Sequence, residues 1–191
     1  SENVIGKSDI VFDISTTANR SDTNSIVGFS LEIHNLFNKD FINPSFDRLI
    51  NSIFNQKSFL PVHENQNFNS CSCFYGRCFH SVQVQDSPLW LQRRLLAAKI
   101  NPVNSVVDLG NYMMLEWGQP VHIYDLNKIN SLLSTDEVKI GVRRSDSTES
   151  LIGLNDQKFD LSSRNLVVTA NDIPISIAGI LGSKDTEVSE S

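Results

Sequence analysis

Five short apolar runs, separated by polar turn residues, fill the last third of the chain and constrain its fold more than any other feature. The runs are short and rich in β-branched residues, and such runs favour strands over helices. Asn155-Asp156 and Asn171-Asp172 suit chain reversals between neighbouring strands. The predicted strands are VKIGVRR (138–144), SLIGL (150–154), QKFDL (157–161), NLVVTA (165–170) and PISIAGI (174–180). They predict a sheet of at least four strands.

A helix is predicted directly before this region, over residues 88–99. Ser87 offers a hydroxyl that can cap the helix, and Pro88 suits the first helical position, where no N–H is needed. The dipeptide Asn101-Pro102 ends the helix, because a proline disfavours the helical conformation in the residue before it.

A second helix is predicted over 103–117, with an apolar stripe on one side and Gly118 as its C-terminal cap. Its opposite face carries Asn104, Asp108 and Asn111, which we expect to be solvated. Helices packed on a mixed or antiparallel sheet define the α+β class.

The N-terminal part is less regular. DIVFDIS (9–15) alternates enough to predict a strand, and a helix capped by Asp22 is predicted over 25–37. Residues 38–70 have little periodicity and are expected to be a connection, with one short helix around 45–54.

The charge distribution limits the classes of function. The net charge is −6, which argues against a free-standing nucleic-acid-binding protein and gives no reason to expect a DNA partner. Only residues 87–144 are net positive, with seven Lys or Arg against five Asp or Glu. No run of 18 apolar residues occurs, so a membrane partner is not expected. We expect a soluble intracellular protein.

Three cysteines, Cys71, Cys73 and Cys78, fall within one short window. Their odd number excludes a closed set of disulfides. With His80 as a fourth ligand they could hold zinc, but the spacing matches no common zinc knuckle. Small buried thiols are the simpler interpretation, and no metal site is predicted.

Two local features are candidates for chemistry. The stretch GQPVHIYD (118–125) presents His122 after an enforced chain reversal; the histidine is either a site residue or a structural one, and Asp125 either orients it or caps the turn that follows. The glycines of AGILGS (178–183) allow either close approach of a planar ligand or a plain tight turn, since no phosphate-loop lysine pattern accompanies them.

The stretch SPLWLQRRLLAAKINPVNSVVDLGNYMMLEWGQPVHIYDLNKI (87–129) closely resembles the editing (B3/B4) region of the β subunit of bacterial-type phenylalanyl-tRNA synthetase. DISTTANRSD with the helix after it resembles part of that subunit's N-terminal domain, and PISIAGILGSKDTEVSES resembles a later stretch of the editing region. The resemblance implies part of the N-terminal domain in 1–37, a connection in 38–70 and a truncated editing domain in 71–191.

The family hydrolyses mischarged tyrosyl-tRNA with this domain, and ester hydrolysis there needs a positioned water and no metal. The resemblance places His122 on the family's editing histidine and Asn111 on a pocket asparagine. Small residues that leave room for the substrate ring fall on Ala178 and Gly179, or else Gly182. Asn101 and Tyr124 complete the substrate-binding candidates, and Arg93, Arg94 and Lys99, with Arg143 and Arg144, are the candidates for RNA contact.

Three departures favour an alternative, a non-catalytic scaffold with a decayed site. Asn101 stands where relatives often carry arginine, Gly110 replaces a common threonine, and Ser183 replaces a glycine. The glutamate that recognises the tyrosine hydroxyl is expected beyond residue 191, so the fragment alone is expected to be inactive.

The resemblance also implies partners and a compartment. The whole enzyme would be a ligase that charges tRNA(Phe) with phenylalanine, pair with an α subunit as α2β2, and use ATP and Mg²⁺, neither of which this fragment is expected to bind. The 19 asparagines and the cyanobacterial character of the motifs favour the plastid stroma, with the bacterial cytoplasm as the second choice.

Overall fold

The computed structural model describes residues 10–42, 70–71 and 74–189. The predicted short helix around 45–54 lies outside the described residues. The chain divides into two compact units. The helical unit contains the described residues 10–42 and 83–123, and the sheet unit contains 70–71, 74–82 and 124–189.

Three α-helices form the described core of the helical unit: α1 (Ile26–Phe37), α2 (Leu89–Ala97) and α3 (Ser105–Trp117). Both α1 and α2 pack against α3. The α2 helix buries Leu91 and Leu95, which are four residues apart and therefore share one face. A short 3₁₀ helix, Ser21–Thr23, precedes α1.

Helix caps in this unit differ in detail from the prediction. Ser25, and not Asp22, caps α1, because its Oγ accepts a hydrogen bond from the Gly28 N–H at 3.0 Å. Pro88 is the N-terminal cap residue of α2, and its carbonyl accepts from the N–H of Leu91 at 2.9 Å. The helix ends at Ala97, four residues before the predicted break at Asn101.

The predicted strand at 9–15 is wrong for its described part, since residues 10–15 belong to no strand. Ile10 and Phe12 are 80% and 79% exposed. An alternating run forms a strand only when a neighbouring strand takes its backbone hydrogen bonds and one face is buried. The described residues supply neither for this segment.

The described part of the sheet unit contains α4 (Leu126–Leu133) and six strands. They are β1 (Ile140–Arg144), β2 (Ser150–Ile152), β3 (Lys158–Asp160), β4 (Leu166–Ala170), β5 (Ile173–Ile177) and β6 (Leu181–Gly182). An antiparallel sheet has the order β1-β4-β5-β6, and β2 pairs with β3 in a small second sheet. The α+β class is therefore confirmed. All described pairings are antiparallel.

The main core of the sheet unit lies between α4 and the four-stranded sheet. Ile129 of α4 packs there with Ile140, Val142 and Val168 of the sheet. Val167, the neighbour of Val168 in β4, instead joins a second cluster with Leu151 and Leu161. Because successive strand residues face opposite ways, β4 is buried on both sides.

Asn171 and Asp172 form the two-residue turn between β4 and β5, as predicted. Both have positive φ, 43° and 74°, which two-residue hairpin turns require. The Asn171 amide also binds the chain before β1: its Oδ1 accepts from the Lys139 N–H at 2.7 Å and its Nδ2 donates to the Glu137 carbonyl at 2.8 Å.

Candidate functional site

The candidate catalytic loop, residues 118–123, begins at the end of α3. Gly118 has φ of 73°, and its N–H donates to the Met114 carbonyl at 2.8 Å, which confirms it as the helix cap. A Cβ on Gly118 would lie 3.1 Å from the Ser25 Cβ, which is closer than an ordinary van der Waals contact. Both the positive φ and this close contact favour glycine at the reversal that presents His122.

The loop then passes across α3 at Gly110. A Cβ built there would lie 3.2 Å from Ile123 Cδ1 and 3.4 Å from Val121 Cγ2. The side chains on both sides of His122 thus rest against this point of the helix. His122 itself is solvent-exposed.

The His122 imidazole combines exposure with partial desolvation. Surrounding protein atoms lower its pKa below the ordinary value of 6.5, because burial penalises the charged imidazolium. The ring is therefore mainly neutral at pH 7. A neutral imidazole has one ring nitrogen that accepts a hydrogen bond and one that donates.

Two other predicted site residues belong to the same unit. Asn111 follows Gly110 on α3 and is half-buried, whereas Asn101 is exposed in the connection between α2 and α3. The structure therefore keeps His122, Asn111 and Asn101 in the helical unit.

The prediction that Asn104, Asp108 and Asn111 form a solvated face of α3 is wrong for Asn104 and Asp108. Asn104 is buried and caps α3, its Oδ1 accepting from the N–H groups of Val106 and Val107 at 3.1 and 3.0 Å. Asp108 is completely buried. A buried carboxylate needs hydrogen-bond partners.

Asp108 finds those partners outside its helix. Its Oδ2 accepts from Ser87 Oγ, and its Oδ1 accepts from the Val103 N–H at 2.8 Å. The carboxylate thus links the first turn of α3 to Ser87, which precedes α2, and to Val103, which precedes α3. No local sequence pattern predicts this contact, because Ser87 and Asp108 are 21 positions apart.

The remaining substrate-binding candidates lie in the sheet unit. Tyr124 packs against the main core, and its hydroxyl lies 2.7 Å from Ser176 Oγ. Burial raises the pKa of the Tyr124 phenol. Ser176 pairs in turn with Gly182 across β5 and β6, so the structure brings Tyr124 and Gly182 to the same strand residue.

Ala178 and Gly179 form the turn between β5 and β6. Gly179 has φ of 71°, and a Cβ there would meet no atom within 4 Å, so its surroundings are open. Ala178 is half-buried, and its N–H donates to the Leu166 carbonyl at 2.9 Å. Ser176, which binds Tyr124, was missed; the only signal was a lone hydroxyl in an apolar run.

Asp125 caps α4, one of the two roles considered for it. Its Oδ1 accepts from the N–H groups of Asn127 and Lys128 at 2.9 and 3.3 Å. Its other oxygen accepts from Ser189 Oγ at 2.9 Å, and the lowered pKa of the carboxyl reflects these hydrogen bonds, which outweigh desolvation.

The basic candidates differ in how they are held. Arg93 and Arg94 lie exposed on α2, and Lys99 forms an exposed ion pair with Asp13 at 3.1 Å. Arg143, by contrast, is tightly bound: it contacts Glu149 and Asp172, each at 2.6 Å. Arg143 therefore serves the structure of the sheet unit.

Cys71 and Cys78 are in no disulfide among the described residues, and Cys73 lies outside those residues. Cys78 Sγ is 3.7 Å from His80 Nε2. Within the part of the chain that the structure describes, no three His, Cys, Asp or Glu side chains come together as metal ligands. The helices of that part also include none long and apolar enough to cross a membrane.

The fold and the site define an α+β domain with an exposed, neutral histidine on a loop that packs against a helix. The chain belongs to the B3/4 domain family, whose model matches residues 70–191. The similar proteins are phenylalanine–tRNA ligase β subunits, which confirms the resemblance described from the sequence.

Three of these relatives show the breadth of the match. The β subunit of Synechocystis is 41% identical over 98% of this chain and that of Trichormus variabilis 36% over 98%. The chloroplastic β subunit of Pyropia yezoensis is 35% identical over 94% of the chain. The chain spans 22%, 23% and 25% of the lengths of these three proteins.

Proposed function

We propose that this chain is the part of a phenylalanine–tRNA ligase β subunit that hydrolyses tyrosyl-tRNA(Phe). The observation that carries the proposal is the B3/4 match over 70–191 together with the placement of His122. The histidine is exposed on a loop that begins at Gly118 and packs over Gly110 of α3. In the domain division proposed with it, 1–37 belong to the N-terminal domain, 38–70 connect, and 71–191 form the editing domain.

A second site of this kind solves a problem of discrimination. An apolar pocket that accepts phenylalanine rejects tyrosine only by roughly a hundredfold, because an added hydroxyl is hard to penalise there. A site that instead binds the hydroxyl discriminates more strongly, since the wrong ligand leaves buried polar groups unpaired. The domain would therefore act on what the synthetic site releases in error.

The reaction requires water to attack the ester carbonyl that joins tyrosine to the terminal ribose. One C–O bond breaks, the water oxygen goes to the tyrosine carboxyl, and a proton goes to the ribose oxygen. In our proposal the neutral imidazole of His122 accepts a hydrogen bond from that water or holds the ester end. Asn111 would bind the substrate with its amide.

The sheet unit would supply the substrate-binding residues. Gly179 and Ala178 in the β5–β6 turn, and Gly182 in β6, have little or no side chain and would leave room for the tyrosyl ring. Tyr124, whose hydroxyl contacts Ser176, is proposed as a further substrate-binding residue of this unit. Asn101, in the helical unit, is proposed as a separate substrate-binding residue.

The assembly and compartment are proposed from the relatives. The whole protein would pair with an α subunit as α2β2 and bind tRNA(Phe). It would use ATP and Mg²⁺ in the aminoacylation reaction, outside this chain. Cyanobacterial and chloroplastic relatives support the plastid stroma, with the bacterial cytoplasm as the second choice.

The test is deacylation of tyrosyl-tRNA(Phe) by the assembled enzyme carrying His122→Ala. His80→Ala is the matched control, because His80 is also an exposed histidine but lies outside the proposed site. We expect His122→Ala to lower the deacylation rate on the order of a hundredfold, within the usual range for an acid–base group, while His80→Ala keeps it. Equal rates in the two variants would remove His122 from the mechanism.

A non-catalytic scaffold is the second candidate, and one observation favours it. The helical unit exposes several large apolar side chains, which suits an interaction surface: Ile10, Phe12, Leu36 and Phe37. If this is the main role, Phe12→Ser with Phe37→Ser weakens subunit assembly, and His122→Ala leaves deacylation unchanged.

A further inference from the structure

Helices α2 and α3 carry an aromatic cluster that the proposed function does not use. The rings of Trp90 and Tyr112 meet edge to face, with centroids 5.5 Å apart and an interplanar angle of 86°. The guanidinium of Arg94 lies 5.8 Å from the Trp90 ring centroid and 5.7 Å from that of Tyr112. Both distances fall within the range of cation–π contacts.

Hydrogen bonds fix the guanidinium in this place. Arg94 Nη1 donates to the Tyr112 hydroxyl at 3.0 Å, and that hydroxyl donates to Glu116 Oε1 at 2.7 Å. These hydrogen bonds favour one arrangement of Arg94 and Tyr112 in the absence of a ligand. Such preorganisation lowers the entropic cost of binding.

The cluster is nevertheless open to solvent. Trp90 is 51% exposed, and Arg94 is exposed as well. A contact that served only to join α2 to α3 would gain more by burying the indole. Helix α2 also carries Arg93 on its surface and contains no acidic residue.

We propose that Trp90, Arg94 and Tyr112 form a stacking platform for an unpaired nucleobase of RNA. Indole rings and guanidinium planes are the surfaces on which single-stranded bases stack. Arg93, one residue before Arg94, would contact the adjacent phosphate. This inference rests on the proposed function for the identity of the RNA, whose unpaired 3′ end is the segment that an editing site must receive.

The charge of the chain favours stacking over phosphate neutralisation as the source of affinity. The net charge is −6, and Glu116 offsets Arg94 within the cluster itself. A site that depended on phosphate neutralisation would need more cations than these residues supply. Binding through the platform should accordingly depend only weakly on salt.

The test measures the Kd of the assembled enzyme for uncharged tRNA(Phe), intact and without its unpaired 3′ nucleotides. Trp90→Ala should weaken binding of the intact tRNA by roughly 5- to 160-fold, the range for loss of one stacked base. Trp90→Phe should retain most of the affinity. Leu89→Ala is the matched control, because Leu89 is 54% exposed on the same helix but has no ring on which a base can stack.

The truncated tRNA decides where the base comes from. If the platform binds the 3′ end, wild type and Trp90→Ala bind the truncated tRNA equally. A Trp90→Ala variant that binds intact tRNA as well as the wild type overturns the proposal. So does a variant that loses the α subunit in size-exclusion chromatography, because the surface is then a protein interface.

A second measurement covers the case in which Trp90→Ala fails to fold. A photoreactive benzoylphenylalanine at position 90 should crosslink to the tRNA 3′ nucleotides, and the absence of any RNA crosslink would contradict the platform. Failure of the proposed function is distinguishable, because His122→Ala should lower the deacylation rate without changing either binding result.

Discussion

Ser87 Oγ donates a 2.5 Å hydrogen bond to Asp108 Oδ2, and both residues are buried. The second oxygen of Asp108 accepts from the Val103 N–H at 2.8 Å. One carboxylate therefore holds two segments that precede α2 and α3, and it positions the helix that carries Gly110 and Asn111.

Asp108→Ala should destabilise the protein by about 2–4 kcal/mol, because the buried Ser87 hydroxyl and the Val103 N–H both lose their hydrogen-bond acceptor. Asp108→Asn is the control of equal size. Its amide oxygen still accepts from Val103, so the loss should be about half as large or less. Urea denaturation measures both, and equal losses would contradict the two-partner role.

Gly118→Ala should cost more stability than Gly179→Ala. Both glycines have positive φ, 73° and 71°, so the backbone cost of adding a side chain, about 1–2 kcal/mol, is shared. Only Gly118 also has a neighbour in the way, since its Cβ would lie 3.1 Å from the Ser25 Cβ. Thermal unfolding of the two variants measures the difference in stability. Equal losses would mean that Ser25 moves away from the added methyl group without cost.

Gly110→Ile should lower tyrosyl-tRNA deacylation although residue 110 itself has no catalytic group. Its side chain would displace Ile123 and Val121, which flank His122 in the loop. Adding Ile123→Ala should restore part of the rate by making room. Gly110→Ala is the mild control: only the end of the Ile123 side chain must move, and the better helix propensity of alanine contributes about 1 kcal/mol. Deacylation rates of these three variants and of Ile123→Ala alone test the coupling.

The rate of deacylation should fall as the pH is lowered, with an apparent pKa below 6.5. Partial desolvation lowers the His122 pKa, so the neutral, active form persists to lower pH than in a free histidine. The pH dependence of kcat/KM, compared with an NMR titration of the His122 ring, measures the two values. A profile with a pKa above 6.5 would assign the titration to another group.

Arg143→Lys should destabilise the sheet unit at pH 7 and have a smaller effect at low pH. Hydrogen bonds from Arg143 lower the pKa of Glu149 below its ordinary 4.5, and lysine cannot reproduce the paired contacts at 2.6 and 3.0 Å. Because the folded pKa is depressed, this stability is present above pH 4.5 and disappears as the pH falls through the folded value. Unfolding free energies at pH 7 and pH 3 provide the comparison.

The strands were predictable from sequence because their signal is local. Runs such as NLVVTA combine β-branched residues with a following turn, and the observed β4 lies within the predicted range. Strand β6 was missed, since the two residues Leu181–Gly182 are too short to show a period. The run at 9–15 shows the converse, because alternation alone does not provide a partner strand.

The site was predictable only in part, because its features depend on distant residues. Gly118 could be assigned as a helix cap from its type and position. The burial of Asp108 could not, since it depends on Ser87, 21 residues away. The roles of His122, Asn111 and the β5–β6 turn remain predictions that the deacylation experiments address.

The Asn171-Asp172 turn has a consequence for the order in which the sheet unit assembles. The turn joins β4 and β5 with two residues, so these strands can pair as soon as they are synthesised, within roughly 10 microseconds. Strand β1 must close a much longer loop to reach β4, which is slower. The Asn171 amide in this hairpin can then form its hydrogen bonds with the backbone of Glu137 and Lys139, just before β1. We therefore expect the nucleus of folding at this turn.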